Sequence, residues 1–214
     1  MPDSTHTNTK IVIFDFDGTI ADSLDILVKI INKQAHRYGY KKITETTINR
    51  FRDENSLTIL RDMKLPLLRI LFLARHVKKE FQQSIEEVKP VYGMHKTLRT
   101  LKDQGYTLGI ATSNSKVTVE QFLKQHDLDI FDFVIGKTVF NKGKMLAGIL
   151  RHFRFPLANV FYVGDETRDI EAARHANIKV ISVTWGINSG ELLSTYNPDF
   201  IIDKPEQLTE VVKG

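Results

Sequence analysis

Acidic side chains recur just after short apolar runs in this sequence of 214 residues. Asp15 and Asp17 follow the run IVIF, and Asp165 and Asp169 follow the run VFYV. Four carboxylates that converge would repel one another strongly, and a bound cation is the usual physical remedy. The chain has no cysteine that could offer sulfur, and oxygen ligands favour Mg²⁺. The pattern therefore predicts a magnesium site.

The spacing of Asp15 and Asp17, with one residue between them, suits two carboxylates with different roles. One ionised carboxylate can attack phosphorus and form an aspartyl-phosphate. The other, partly protonated, can give its proton to the leaving oxygen and later activate water. Phosphoryl transfer also needs positive charge on the phosphoryl oxygens. Lys142 and Lys144, ahead of a predicted helix, are the two candidates for that charge.

Small polar residues follow two of the apolar runs and could donate hydrogen bonds to a phosphate. Gly18 and Thr19 come after the first run, and Ser113 and Asn114 come after the run YTLGIA. Ser113 and Asn114 could also cap the helix that follows. Both roles use the amides of a helix N-terminus, so they can coexist.

The apolar runs that precede these residues are short and continuous, which is typical of strands buried on both faces of a parallel sheet. Helical patterns separate them. Alternation of strand and helix predicts an α/β, Rossmann-like fold with helices on both faces, in which ligands bind beyond the carboxyl ends of the strands. The predicted strands are Ile11–Phe14, Tyr106–Ala111, Phe133–Ile135, Val160–Val163 and Lys179–Val183.

The segment after the first strand breaks this alternation. Residues 23–89 contain no convincing buried strand and are typical of successive amphipathic helices. The predicted breaks between these helices lie near Gly39, Ser56 and Pro66.

We therefore expect a helical cap inserted after the first strand. Its predicted range is 23–89, called the insertion below, and the α/β core would comprise residues 1–22 and 90–214. Within the insertion, the apolar stretch Leu67–Leu73 is interpreted as the inner face of the cap helices rather than as a partner groove.

Composition excludes several classes of function. The absence of cysteine removes disulfides, thiolate nucleophiles and cysteine-bound metals. The net charge of +4 comes from 30 basic and 26 acidic residues without a long basic run, so nucleic-acid binding is not expected. The polar start and the lack of a long apolar segment predict a cytoplasmic protein without a membrane span. The seven histidines show no paired metal-binding spacing.

The motifs together resemble the haloacid dehalogenase-like hydrolase superfamily, and within it the phosphoglycolate phosphatase-like branch. The matching segments are IVIFDFDGTIADS, IATSNS, a lysine ahead of the VGD strand, and VGDETRDIEAA. The resemblance implies that Asp15 is the nucleophile and Asp17 the general acid/base, whose backbone carbonyl also binds the metal. It places Ser113 on the phosphate, with the backbone of Asn114 beside it.

The same resemblance implies that Asp165 and Asp169 complete the metal site, with Glu166 as a further candidate. For the motif lysine, the distance to the VGD motif favours Lys142 over Lys144. The segment VTWGINSGELLSTYNPDFIID is also similar to the C-terminal part of proteins of this branch, with a last strand after its Asn-Pro-Asp turn. No catalytic role is apparent in it.

The expected function is hydrolysis of a small phosphate monoester, with phosphoglycolate as one candidate substrate, by a Mg²⁺-dependent enzyme that acts as a monomer or homodimer on a phosphorylated metabolite. A phosphoglucomutase-like phosphoryl transferase on the same fold is an alternative. A receiver-like signalling or binding protein is an alternative from another class. Arginines of the insertion could meet an anionic part of the substrate, although a solvated helix face is the commoner explanation: Arg50, Arg52, Arg61, Arg69 and Arg75.

Overall fold

The computed structural model describes residues 10–54, 58, 65–136 and 141–213. Its strands are, in chain order, β1 Ile11–Phe14, β2 Ala21–Asp22, β3 Lys89–Pro90, β4 Thr107–Thr112, β5 Phe133–Gly136, β6 Val160–Gly164, β7 Lys179–Val183 and β8 Phe200–Ile202. Six of them form one parallel sheet in the order β5-β4-β1-β6-β7-β8, while β2 and β3 form an antiparallel pair. The predicted α/β class with a parallel sheet is confirmed.

The α-helices of the described residues are α1 Leu24–Tyr38, α2 Glu45–Arg52, α3 Leu67–Gln83, α4 Met94–Asp103, α5 Lys116–Gln125, α6 Lys142–Phe153, α7 Thr167–His175, α8 Gly190–Thr195 and α9 Leu208–Val211. None of these described helices has the length and apolar character needed to cross a lipid bilayer.

Helices cover both faces of the sheet, as β1 shows at its centre. Val12 and Phe14 belong to one apolar cluster, which includes side chains of α4 and α5. Ile11 and Ile13 belong to a second cluster, which includes side chains of α6 and α7. Neighbouring residues of a strand point to opposite faces, so a fully buried strand must be apolar at every position. This explains the continuous run IVIF.

The register of the central strands brings the predicted chemistry to one place. Phe14, the last residue of β1, pairs with Ile110 of β4 on one side and Val163 of β6 on the other. The three strands are parallel, so the residues that follow them leave the sheet at the same end. That end is the carboxyl end of the sheet, where parallel α/β folds bind ligands.

The insertion leaves and rejoins the sheet region at the β2–β3 pair, in which Ala21 pairs with Pro90 and Asp22 with Lys89. Helices α1, α2 and α3 lie between these two strands in the chain. Helix α1 ends at Gly39, which adopts the left-handed conformation with φ 76°. Pro66 is the residue before α3, and the predicted break near Ser56 lies outside the described residues. The division into core and cap stays a prediction.

The interpretation of Leu67–Leu73 as an inner face is wrong for most of that stretch. Leu73 is 5% exposed, but Leu67, Leu68 and Phe72 are 71%, 70% and 55% exposed. Helix α3 packs against α1 along the face that carries Leu73 and Phe81. At 100° per residue, Leu68 and Phe72 lie about 40° apart on one side of the helix, about 100–140° around it from Leu73. They are therefore apolar without being part of the core.

Candidate active site

Three of the predicted carboxylates converge at the carboxyl end of the sheet. Asp15 follows β1, Asp165 follows β6, and Asp169 lies in the first turn of α7. All three are buried, and one carboxylate oxygen from each lies within 4.8 Å of the others. We call these residues the carboxylate trio.

Lys142 lies between two members of the trio. Its Nζ donates to Asp15 Oδ2 at 2.6 Å and to Asp169 Oδ1 at 2.5 Å. Asn141 caps α6 by accepting from the backbone N–H of Lys144, and this cap fixes the first turn from which Lys142 extends. Of the two candidate lysines, Lys142 is the one whose ammonium the structure places among the carboxylates.

Burial dominates the electrostatics of the trio. It raises the pKa of Asp15 to about 6, against the lowering effect of Lys142 and with a further raising effect of Asp169. Burial also raises the pKa of Asp165 well above its usual range, and the neighbouring Glu166 and Asp169 add to this. For Lys142, burial lowers the pKa, but Asp15 and Asp169 outweigh it and raise the pKa well above its usual value. Buried acids of this kind hold protons unless a cation offsets their repulsion.

The trio fits a divalent metal ion by its chemistry. Its donors are all carboxylate oxygens, they are buried together, and, after burial itself, the charges of Asp169 and Asp15 help to raise the pKa of Asp165. Mg²⁺ binds to one or a few carboxylates and completes its coordination with water and phosphate oxygens.

Asp17 is not part of the trio. Its Oδ2 accepts a hydrogen bond of 3.0 Å from the side-chain amide of Asn114. Burial raises the pKa of Asp17, and hydrogen bonds, including the one from Asn114, partly offset this rise. Four carboxylates were expected to share one centre. In the structure three of them do, whereas the side chain of Asp17 contacts Asn114, just after β4.

Asp165 is held on both of its oxygens. The Thr19 hydroxyl donates to Oδ1 at 3.0 Å, and the Ile187 backbone N–H donates to Oδ2 at 2.8 Å. Gly18 has φ +71°, and a Cβ there would lie 2.2 Å from Asp165 Oδ2; at Gly186 a Cβ would lie 2.3 Å from Asp165. Two glycines are therefore required where the chain passes this carboxylate. Gly18 and Thr19, predicted to bind phosphate, support Asp165 in this structure.

Comparisons with known proteins agree with this geometry. The sequence model of the family described as haloacid dehalogenase-like hydrolase matches residues 12–183. The chain belongs to this hydrolase family. The phosphoglycolate phosphatase of Synechococcus elongatus is 34% identical over 203 residues, which cover 94% of this chain and 96% of that protein. The predicted resemblance is confirmed.

Two further similarities extend over nearly the whole chain. The pyrophosphatase PpaX of Bacillus anthracis is 27% identical over 209 residues, covering 94% of this chain and 95% of that protein. A solved haloacid dehalogenase-like family hydrolase from Streptococcus pneumoniae is 20% identical, with a TM-score of 0.79 and coverage of 95% and 98%. At that identity the structural likeness shows the fold alone.

Ser113 and Asn114 follow β4, the strand that pairs with β1. The backbone N–H of Asn114 donates to the Thr112 hydroxyl at 3.0 Å. Ser113 is exposed, and its carbonyl accepts a hydrogen bond of 2.7 Å from Lys78 of α3. A residue of the insertion therefore contacts the loop that the hydrolase family resemblance places on the phosphate.

Glu166, a possible further metal ligand, has a different environment. It is buried and forms an ion pair with Arg168, and its backbone N–H donates to Asp169 Oδ2 at 2.9 Å. Its carboxylate is not in the trio. Arg168 lines the clefts on both sides of the site, and the sequence reasoning did not single it out.

The segment after β7 also supports the site, although no role in it was apparent from the sequence. Asn188 is fully buried; its backbone N–H donates to the Asp165 carbonyl, and its Oδ1 accepts from the Thr167 N–H at 3.0 Å. Its Nδ2 donates to the carbonyls of Phe51 and Glu54 in the insertion. The available signal was its position in the loop that follows the buried strand β7, at the same end of the sheet as the trio.

Proposed function

We propose that this chain is a Mg²⁺-dependent phosphatase that hydrolyses a small phosphate monoester through an aspartyl-phosphate on Asp15. The observation that carries the proposal is the carboxylate trio bridged by Lys142. The relatives support the reaction class, since the names of two of them, phosphoglycolate phosphatase and pyrophosphatase, describe removal of phosphate. Phosphoglycolate is one candidate substrate.

In this proposal the trio and the backbone carbonyl of Asp17 hold Mg²⁺. When bound, the ion supplies positive charge to the phosphoryl oxygens. Lys142, which donates to Asp15 and Asp169, would supply a second positive charge and keep the Asp15 carboxylate ionised. Thr19 and Gly18 act by orienting Asp165. Glu166, paired with Arg168, is left out of the ligand set.

The two aspartates of the first motif divide the chemistry. A carboxylate oxygen of Asp15 forms a bond to phosphorus as the bond from phosphorus to the ester oxygen breaks. Asp17, whose pKa burial raises, gives its proton to the departing oxygen. Asp17 then accepts a proton from the water that cleaves the aspartyl-phosphate and releases inorganic phosphate. Ser113 and Asn114 donate to the phosphoryl oxygens.

The insertion, residues 23–89, acts as a cap over this site in our proposal. Support comes from its contacts with the core: Lys78 reaches the Ser113 carbonyl, and Arg52 reaches the carbonyls of Thr184 and Gly186. A cap that closes over the substrate would exclude water from the reacting groups.

The test is turnover of p-nitrophenyl phosphate by Asp15→Asn in the presence of Mg²⁺. The substitution keeps the side-chain volume and removes the nucleophile, so we expect a loss of more than about 1,000-fold with an unchanged circular dichroism spectrum. Asp129→Asn, at an exposed position, is the matched control and should retain wild-type turnover. Wild-type turnover by Asp15→Asn would contradict the proposal.

A further inference from the structure

A cleft of about 820 Å³ opens between the active site and helix α3. Its lining includes Asp17, the proposed proton donor to the departing oxygen, and Ser113 and Asn114, the proposed donors to the phosphoryl oxygens. Its volume lies toward the upper end of the range of about 300–1,000 Å³ that proteins use to bind drug-sized molecules. The cleft is thus much larger than a phosphoryl group and a two-carbon alcohol require.

The wall of this cleft on α3 is apolar and exposed. Leu68, Leu71 and Phe72 line it with exposed fractions of 70%, 38% and 55%. They follow the spacing i, i+3, i+4, so they form one patch on the helix. These side chains do not stabilise the fold by burial, and contiguous exposed apolar patches usually mark a binding surface.

Other residues of the lining continue the apolar surface. Leu27 of α1, Phe81 of α3 and Ile187 of the loop after β7 also line it. Ile187 is the residue whose backbone N–H binds Asp165, so the apolar surface begins next to the carboxylate trio. A ligand that is phosphorylated at one end and apolar next to that end would contact both parts together.

We infer that the substrate of the proposed phosphatase reaction, on which this inference rests, is a phosphate monoester whose alcohol carries an apolar body of about six or more carbon atoms. A small dianionic ester would leave the α3 wall in water. Arg75 and Lys78 at the same cleft could instead meet a carboxylate of such a small ester, and the experiments below separate the two cases.

The first experiment measures binding without turnover. Alkyl phosphonates have a carbon–phosphorus bond that the proposed reaction does not cleave, so calorimetry with the wild-type protein and Mg²⁺ can compare hexylphosphonate with methylphosphonate. We expect the hexyl compound to bind about 30-fold more tightly, which corresponds to about 2 kcal/mol. Equal affinity within about threefold, or no binding of the hexyl compound, would overturn the inference.

Two variants on the same helix locate the effect. Phe72→Ala should reduce the preference for the hexyl compound about fivefold or more, because it removes the largest exposed side chain of the wall. Leu67→Ala is the matched control, since Leu67 is 71% exposed and is not part of the cleft lining; the preference should not change. An equal effect of both substitutions would overturn the assignment to this wall.

The second experiment measures kcat/KM for ethyl, butyl, hexyl and phenyl phosphate and for phosphoglycolate. We expect kcat/KM to rise with the apolar size of the alcohol. Turnover that is fastest for phosphoglycolate and unchanged in Phe72→Ala would overturn the inference and leave the phosphatase proposal standing. Tight binding of hexylphosphonate without turnover of any ester would support an apolar binding site and contradict the phosphatase proposal.

Discussion

Replacing Thr19 with valine removes one hydroxyl from the support of Asp165 and keeps the side-chain shape. The Thr19 hydroxyl donates to Asp165 Oδ1 at 3.0 Å, and both residues are fully buried. Water cannot replace the lost donor without rearrangement, so we expect a loss of about 1–2 kcal/mol in the free energy of unfolding. At about 2–4 °C per kcal/mol for a domain of this size, Tm should fall by about 2–8 °C.

The same substitution should weaken Mg²⁺ binding. Partners that orient a ligand carboxylate typically contribute about 10–100-fold in metal affinity or activity. Thermal unfolding in EDTA and in a Mg²⁺ series would measure both effects, because a ligand raises Tm according to its affinity for the folded state. Ser182→Ala is the control: Ser182 is fully buried and its hydroxyl has no hydrogen-bond partner within the described part of the chain. Thr19→Val with wild-type Tm and an unchanged Mg²⁺ response would refute the reasoning.

Three further predictions concern charge, protons and the insertion. Lys142→Met should lower turnover more than about 100-fold, since it removes the charge between two buried carboxylates, whereas Lys144→Met should change it by less than about twofold; steady-state kinetics of the pair decides this. Burial raises the pKa of Asp15 from 3.8 to about 6, so in the metal-free protein the folded state holds a proton on Asp15 more tightly than the unfolded state does. The free energy of unfolding should therefore fall as the pH rises from 3.8 to about 6, where the folded protein loses this proton. Mg²⁺ competes with these protons, so its effect on Tm should be larger at about pH 8 than at about pH 5, and a constant effect would count against the trio as the metal site. Asn188→Ala should cost about 1–3 kcal/mol in urea unfolding and speed proteolysis within residues 45–54, because its side-chain amide links the carbonyls of Phe51 and Glu54 to the Thr167 N–H; unaltered proteolysis would contradict this link.

The parts of the fold that follow from local sequence were predictable. Each predicted buried strand appears in the structure within one or two residues, because a strand covered on both faces must be apolar throughout. The turn chemistry after β1, with Gly18 in a left-handed conformation, also follows from the sequence. Placing the acidic residues at one end of the sheet required only the rule for parallel strands.

The parts that depend on distant contacts were not predictable. The choice between Lys142 and Lys144 rested on spacing alone and needed the first turn of α6 to be placed against Asp15. Asn188 looked like an ordinary turn residue because its role comes from contacts with residues more than 130 positions away. The apolar stretch at the start of α3 was assigned to a buried face because periodicity shows that side chains share a helix face, not what covers them.

The short antiparallel pairing of β2 with β3 fixes the two points at which the insertion joins the core. Paired residues of antiparallel strands have Cα atoms about 5 Å apart, so the chain departs at Asp22 and returns at Lys89 almost at the same point. A short hairpin turn could join these two positions without moving the strand that precedes Asp15. Because both ends of the insertion are fixed at this pair of strands, a segment of another length or shape could take its place while the strand before Asp15 stays where it is.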